Sequence, residues 1–304
     1  MGKFFKYIAY AILFAVSFVI FLYWVFPYDS LKVRLISGIE RQFGGSVEVE
    51  AEELDTYWFT GVEIEKLKFS SRDDAGNVRQ SLILDEARFR ASLFSLIFGS
   101  PRVSYFIRAG GGEIEGNAHQ TEEGFEFSAS FDDFNVSAFK MLSTVLGLKL
   151  KGTINGSVEM NVNQRRLVRT TGEIDLKLEN FVLDQSEAHL GPMDMPLPKL
   201  VLTKGGGSQL KGKIDKGQVV LDGIALKGGD LQLDISGKIF LSNTFANSRF
   251  NVRGSFKTSP VLDKAVPFLF IVEKQKKADG SFPLSITGRL TSPVIKVGTF
   301  TLPL

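Results

Sequence analysis

Alternation of apolar and polar residues over most of the chain limits this sequence to sheet architecture. The stretch "DLQLDISGKIFLS" (230–242) shows it: Leu231, Leu233, Ile235, Ile239 and Leu241 alternate with Gln232, Asp234, Ser236 and Lys238. A period of two puts the first set on one face of a strand and the second on the other. The pattern recurs in "SVEVEAEEL", in "GVEIEKLKFS" with one slip of register, and in "EGFEFSASFDDF", where Phe125, Phe127, Ala129 and Phe131 share a face. Read this way, the chain holds about fifteen strands and at most about four short helices outside its N-terminal apolar run. Helices are expected over 30–43, from a Ser30 cap to a Gly44 stop, near 92–99, from Ser137 to Gly147, and over 260–277 with a bend or restart at Pro267.

Those helices offer too little surface to cover one face of so large a sheet. An apolar face can pack on a second sheet, close into a barrel, or curl into a groove. Units of strand, glycine bend and strand recur as "KGTINGSVEM", "LKGKIDKGQVVL" and "ALKGGDLQLDISGKI". Such repetition favours a meander that adds strand after strand to one long sheet. The expected fold is therefore mainly β: an N-terminal transmembrane helix, then an elongated, curled antiparallel sheet with a few short helices. The helix at 30–43 would seal the membrane-proximal end, and 260–277 would cap or brace the distal part. Leu231, Leu233, Ile235, Ile239 and Leu241 are the candidate groove-lining residues, and a closed core is the competing reading of the same side chains.

The N-terminus carries a different signal. Lys3 and Lys6 precede an uncharged run from Tyr7 to Phe26, followed by Pro27 and Asp29. At about 1.5 Å per residue, about twenty helical residues match the hydrocarbon core of a bilayer. Tyr7, Phe14, Phe18, Phe21 and Trp24 are the candidate anchor residues, with Tyr23 and Trp24 where an interfacial aromatic belt would sit. The run is longer than a signal-peptide core and no small-x-small cleavage site follows it, which favours an uncleaved anchor. The expected organisation is a cytoplasmic N-terminus (1–6), a transmembrane anchor (7–26), and a β-rich domain (29–304) outside the cytoplasmic membrane. This is a single-pass arrangement.

Composition removes several functions. Lysine and arginine number 36 against 34 aspartate and glutamate, a balance that argues against a nucleic-acid surface. There is no cysteine, so disulfides, thiolate nucleophiles and Cys-ligated zinc are excluded. His119 and His189 stand far apart without metal-ligand spacing, so no metal and no cofactor are expected. "GSQLKGKI" approaches a phosphate loop, but Ile214 stands where Ser or Thr is required and the context is a hairpin. The Asp73–Asp74 and Asp132–Asp133 pairs read as surface turns, and "QRRLVR" (164–169) and "EKQKK" (273–277) as solvated faces. No serine sits in a Gly-x-Ser-x-Gly setting. No catalytic residue is assigned, and the chain reads as a non-enzyme.

Four segments carry a family resemblance when taken in order: "FGGSVEVEAEELDTYWFTGVEIEKLKF", "SLFSLIFGSPRVSYFIRAGGGEIEG", "FKMLSTVLGLKLKGTINGSVEM" and "FPLSITGRLTSPVIKVGTFTLPL". Preceded by an anchor and a short helix, they resemble the type II secretion system protein N (GspN) family over essentially the whole chain. "LKGTINGSVEM" and "SITGRLTSPVIKV" are also similar to the broader AsmA-like envelope proteins, whose long β-grooves are implicated in lipid movement. The resemblance implies a bacterial inner-membrane protein with a periplasmic β-domain, accessory to protein export across the outer membrane. Its implied partners are the lipid bilayer and other envelope or type II secretion subunits. The AsmA-like alternative implies a carrier of phospholipid or other lipid in a hydrophobic β-groove. Neither resemblance carries catalytic residues.

Overall fold

A computed structural model describes residues 47–58, 60–72, 78–92, 99–138, 148–190, 193–242, 247–265, 269–289 and 291–301, together with Ser17 and Ser95. The anchor run 7–26, apart from Ser17, and the helix expected over 30–43 lie outside the described residues, as do Asp73, Asp74 and most of the helices expected near 92–99 and over 137–147. No helix among the described residues is long and apolar enough to cross a membrane.

The described chain is mainly β and antiparallel. The first half contributes β1 (Val47–Glu50), β2 (Glu53–Tyr57), β3 (Gly61–Arg72), β4 (Val78–Ala91), β5 (Arg102–Ala109), β6 (Gly112–Gln120) and β7 (Gly124–Asn135). Next come β8 (Leu150–Asn163), β9 (Thr171–Leu183), β10 (Ser186–Leu190), β11 (Met193–Leu197) and β12 (Leu200–Val201). The last strands are β13 (Gln209–Asp215), β14 (Gln218–Leu226), β15 (Leu231–Phe240), β16 (Arg249–Thr258), β17 (Phe282–Arg289), β18 (Ser292–Val297) and β19 (Phe300–Thr301). Two short helices, α1 (Pro260–Ala265) and α2 (Leu269–Val272), join β16 to β17. They flank Pro267, which itself lies outside the described residues.

Each strand from β3 to β9 pairs with its successor, and β13 to β19 continue the same way. The halves join where β9 pairs with β13, so the meander expected from the repeats is present and the sheet is not closed. β1 and β2 share one edge of β3, and β10 and β11 form a separate hairpin inserted at the join. Three details depart from the sequence reading. "SVEVEAEEL" is two strands broken at Ala51–Glu52, and the β10–β11 hairpin has no counterpart in the alternation pattern. Asp132–Asp133 is not a turn either. It is the bulge in β7 where the pairing shifts between Phe131 and Phe134, with Asp133 at φ +46°.

Burial concentrates in two clusters. One gathers Val49, Ile64, Leu67, Leu84, Ala87, Ala109 and Phe134 with Ala138 from the 3-10 turn Val136–Ala138. The other joins Leu183 of β9 and Leu200 of β12 to Phe282 and Val297 of β17 and β18, through Leu262 of α1 and Leu269 and Val272 of α2. Four strands, β13 to β16, separate β9 from β17 in the pairing order, so the two helices span that interval on the apolar face. The brace expected over 260–277 is therefore real, and it sits at the end of the strands where β1 joins the sheet.

Phe282 is 2% exposed and stacks on Phe256 at 5.0 Å between ring centroids, while Phe270 is 79% exposed on the same connection. Phe282→Ala is expected to lose about 3–5 kcal/mol by cavity formation, and Phe270→Ala to stay within about 0.5 kcal/mol of the parent. Chemical denaturation of the two variants side by side measures this. Equal losses would remove α1–α2 packing as the brace.

Candidate functional site

The register of the ladders decides what the apolar face is. From Ile235 in β15, backbone pairing leads through Ile224 and Leu210 to Leu176 on one side, and through Gly254 and Leu284 to Val297 on the other. Beyond Leu176 the same row continues through Gly156, Phe131, Ile114 and Ile107 to Ala87. Every side chain in it is apolar or glycine. A second row runs from Phe250 through Ile239, Val219 and Ile214, and on through Met160 to Phe127. Neighbouring strands lie about 4.8 Å apart, so the first row is a continuous apolar band about 50 Å long measured across the strands, and the second is about 30 Å long.

The apolar face is graded along the strands, from one set of strand ends to the other. The end where β1 joins carries both buried clusters, and α1 and α2 lie over it. Towards the opposite end most of the apolar residues are only half-buried, among them Phe127, Met160, Ile174, Val219, Ile239 and Phe250. Of the five residues singled out in the sequence, Ile235 is buried at 8% exposure and Leu231, Leu233, Ile239 and Leu241 are half-buried. The first four lie on one face of β15 as expected, with Leu231 packed against the α1–α2 cluster. Leu241 lies just past the strand's end. The rest of the band was legible strand by strand as alternation. Its assembly into one surface was not, because register between strands leaves no mark in the sequence.

The band is also dry in the chemical sense. The Tyr105 hydroxyl on this face donates to the Ser128 carbonyl at 2.7 Å, and the ring stacks on Phe127 at 5.9 Å. That ring covers Gly116, where an added Cβ would come within 2.6 Å of the Tyr105 hydroxyl and 1.9 Å of the Ser128 carbonyl oxygen. Glycine is required there so that the tyrosine can lie flat and keep its hydroxyl satisfied. Burial pushes the Tyr105 phenol up to about 12, so it stays protonated as a donor.

The opposite face carries charge. Arg88 Nε donates to Glu63 Oε1 at 2.9 Å, and Arg108 Nη1 donates to Glu86 Oε2 at 2.8 Å. Arg108 also donates to Glu113 Oε1 through Nε at 3.1 Å and Nη2 at 2.9 Å. Glu86 Oε1 forms an ion pair with Arg88 Nη2 without a directed hydrogen bond. Both guanidinium groups lie over the Phe106 ring at 5.4 Å. This ladder ties β3, β4, β5 and β6 together. At the end away from β1, a shallow concavity of about 670 Å³ is lined by Asn117, His119, Glu126 and Glu159 along with Met160 and Ile214. His119 meets Ser100 Oγ at 3.4 Å through Nε2, while its Nδ1 is buried without a partner. Among the described residues no three His, Asp or Glu side chains converge as metal ligands. Gly212 and Lys213 of the near-phosphate-loop lie within β13, in a hairpin with β14.

No protein-family model matches this chain, and neither the curated proteins nor the solved structures contain a match. What the fold and this face define is a class: an open antiparallel β-meander with one polar and one apolar side.

The two carboxylates of the charged ladder are pushed in opposite directions. Burial, and then the neighbouring Glu63 carboxyl, raises Glu86 above the ordinary 4.5, while the hydrogen bond from Arg88 holds Glu63 below it. Stability contributed by Glu63 is thus present above its unfolded value and lost as pH falls through its folded one. That of Glu86 is present at low pH and lost as pH rises through its folded value. Carboxyl-carbon NMR titration is expected to give midpoints on opposite sides of 4.5. Two midpoints on the same side would refute this division.

Proposed function

We propose that this chain is a non-enzymatic, membrane-anchored envelope protein that shelters lipid acyl chains along the apolar face of its sheet. The observation that supports the reading is the continuous apolar band, whose rows through Ile235 and Ile239 are apolar or glycine at every described position. Compact small-molecule sites place a few convergent polar groups in an apolar pocket, and these rows place none among the described residues. An acyl chain needs only length, width and dryness. Each CH2 kept out of water is worth roughly 0.8 kcal/mol. A tail coming from a bilayer is already dry, so its exchange between membrane and band is close to neutral, as a carrier requires. In this reading the face is the β-groove of the AsmA-like proteins that the sequence resembles, and the run 7–26 holds it to the inner membrane with the sheet in the periplasm.

A second reading follows from the resemblance to the GspN family: a component of the type II secretion system that works by contact with other subunits. The feature that favours it is the open sheet, in which β19 pairs with β18 at the end of the described strand order and presents an edge for strand addition by a partner.

Photo-crosslinking in cells tests the first reading on the full chain. A benzophenone side chain at Ile239, on the apolar face, is expected to capture radiolabelled phospholipid, while one at Lys238, on the polar face, captures none. Leu233→Glu or Ile235→Glu should abolish the capture and leave membrane association intact. Absence of a lipid adduct at Ile239, with exported proteins retained in the periplasm of a deletion strain and outer-membrane lipids normal, would put the secretion reading in its place.

A further inference from the structure

The connection between β16 and β17 is apolar on two sides. Leu262, Leu269 and Val272 face inward and are buried, while Val261, Phe270 and Ile271 are 52%, 79% and 54% exposed. All four residues of α2 are apolar, and of these only Leu269 and Val272 are covered, which leaves Phe270 and Ile271 needing an apolar partner. The surrounding charges are asymmetric in their pairing. Asp230 is held by Val201 N and Ser259, Asp263 accepts from Thr258 Oγ1, and Asp279 is tied to Ser281 and Lys257. Lys204, Lys227, Lys264 and Lys274, on this connection or on loops at the same strand ends, are exposed and form no ion pair among the described residues. Glu273 is the one exposed acid of the segment not held in this way.

Position supplies the partner. α1 and α2 lie on the same strand-end side of the sheet as the start of β1, which pairs with Lys68–Ser71, although β3 and β17 stand eleven pairings apart across it. The polypeptide coming from the apolar run 7–26 thus reaches the sheet on this side. We propose that the α1–α2 connection rests on the anionic surface of the membrane that holds the anchor, with Phe270, Ile271 and Val261 inserted among the acyl chains and the lysines on the headgroups. This is the geometry of an interfacial amphipathic segment, with each lysine near an anionic surface adding about 1 kcal/mol. The inference rests on the anchored, lipid-handling reading above and deepens it. It fixes which strand ends of the apolar face abut the bilayer, and it makes α1–α2 both the plug at those strand ends and the contact with the lipid source.

The chain has no cysteine, so a single introduced thiol can be labelled in the full-length protein. Phe270→Cys and, as a control on the β6–β7 turn at the opposite end, Glu122→Cys would carry an environment-sensitive fluorophore. Both would be placed in vesicles of phosphatidylcholine and phosphatidylglycerol. The label at 270 is expected to shift to the blue and to lose most of its emission when the phosphatidylcholine is brominated, with the label at 122 unaffected. Replacing phosphatidylglycerol by phosphatidylcholine, or raising salt, should weaken the quenching at 270. If the protein floats with the vesicles but position 270 reports water, the contact is overturned while anchoring stands. A blue shift without lipid quenching would assign the patch to a protein partner and equally overturn it. If the protein does not float, the anchored reading fails and the contact falls with it.

Discussion

The structure depends on keeping one side-chain parity across a long run of sequential ladders. In a strand, a slip of one residue moves every apolar side chain to the polar face, and this meander has many opportunities to slip. It corrects them locally. β7 inserts Asp132–Asp133 between Phe131 and Phe134, and β14 inserts Asp222–Gly223 between Leu221 and Ile224. In each case two residues that are three apart in sequence return to the same face. In β3 and β4 the two strands step together: Ile64 pairs with Ala87 and Leu67 with Leu84, with Lys66 at φ +48° taking the turn in the backbone. Bulges of this sort are conserved devices for re-aiming a strand. Here they hold an apolar band in line from one edge of the sheet to the other.

An uncovered apolar face on this scale is costly unless something covers it, and the molecule covers it unevenly. At one end, α1 and α2 connect β9 and β12 to β17 and β18 through Leu262, Leu269 and Val272, and Val136–Ala138 closes part of the first half. At the other end aromatic and aliphatic side chains remain half-buried. Glycines such as Gly116 thin the surface where Tyr105 lies flat. The polar face is independent of this gradient. Its arginine–glutamate ladder binds β3 to β6, from buried Glu86 to half-exposed Arg108 and Glu113, and its exposed Arg108–Glu113 pair contributes alignment more than net stability.

Those two faces suggest a division of labour. The charged face and the braced end fix the shape, and the dry face is left free for cargo that asks for no directional bond. A carrier of acyl chains and a subunit of a secretion machine make different use of the same sheet, the first through its surface and the second through its edges. The connection from β16 to β17 bears on both, because it seals the band on one side and presents Phe270 and Ile271 on the other.

The sequence by itself determined the secondary structure of most of the described chain and the parity of each strand. Alternation is a local property of the chain: Leu231, Leu233, Ile235 and Ile239 share a face in any sheet that contains them. It also marked the register slip in "GVEIEKLKFS" and the interruption at 260–277. It did not reveal the hairpin of β10 and β11, whose residues do not alternate cleanly, or the role of Asp132–Asp133, which as a pair read like a turn. Only the tertiary structure decided that Ile235 lies in line with Leu176, Phe131 and Ala87, and that the sheet stays open with its helices at the end where β1 joins. Those facts rest on hydrogen-bond register and on packing between residues far apart in the chain. Backbone amides pair alike in every register, so no single strand encodes its neighbour's alignment.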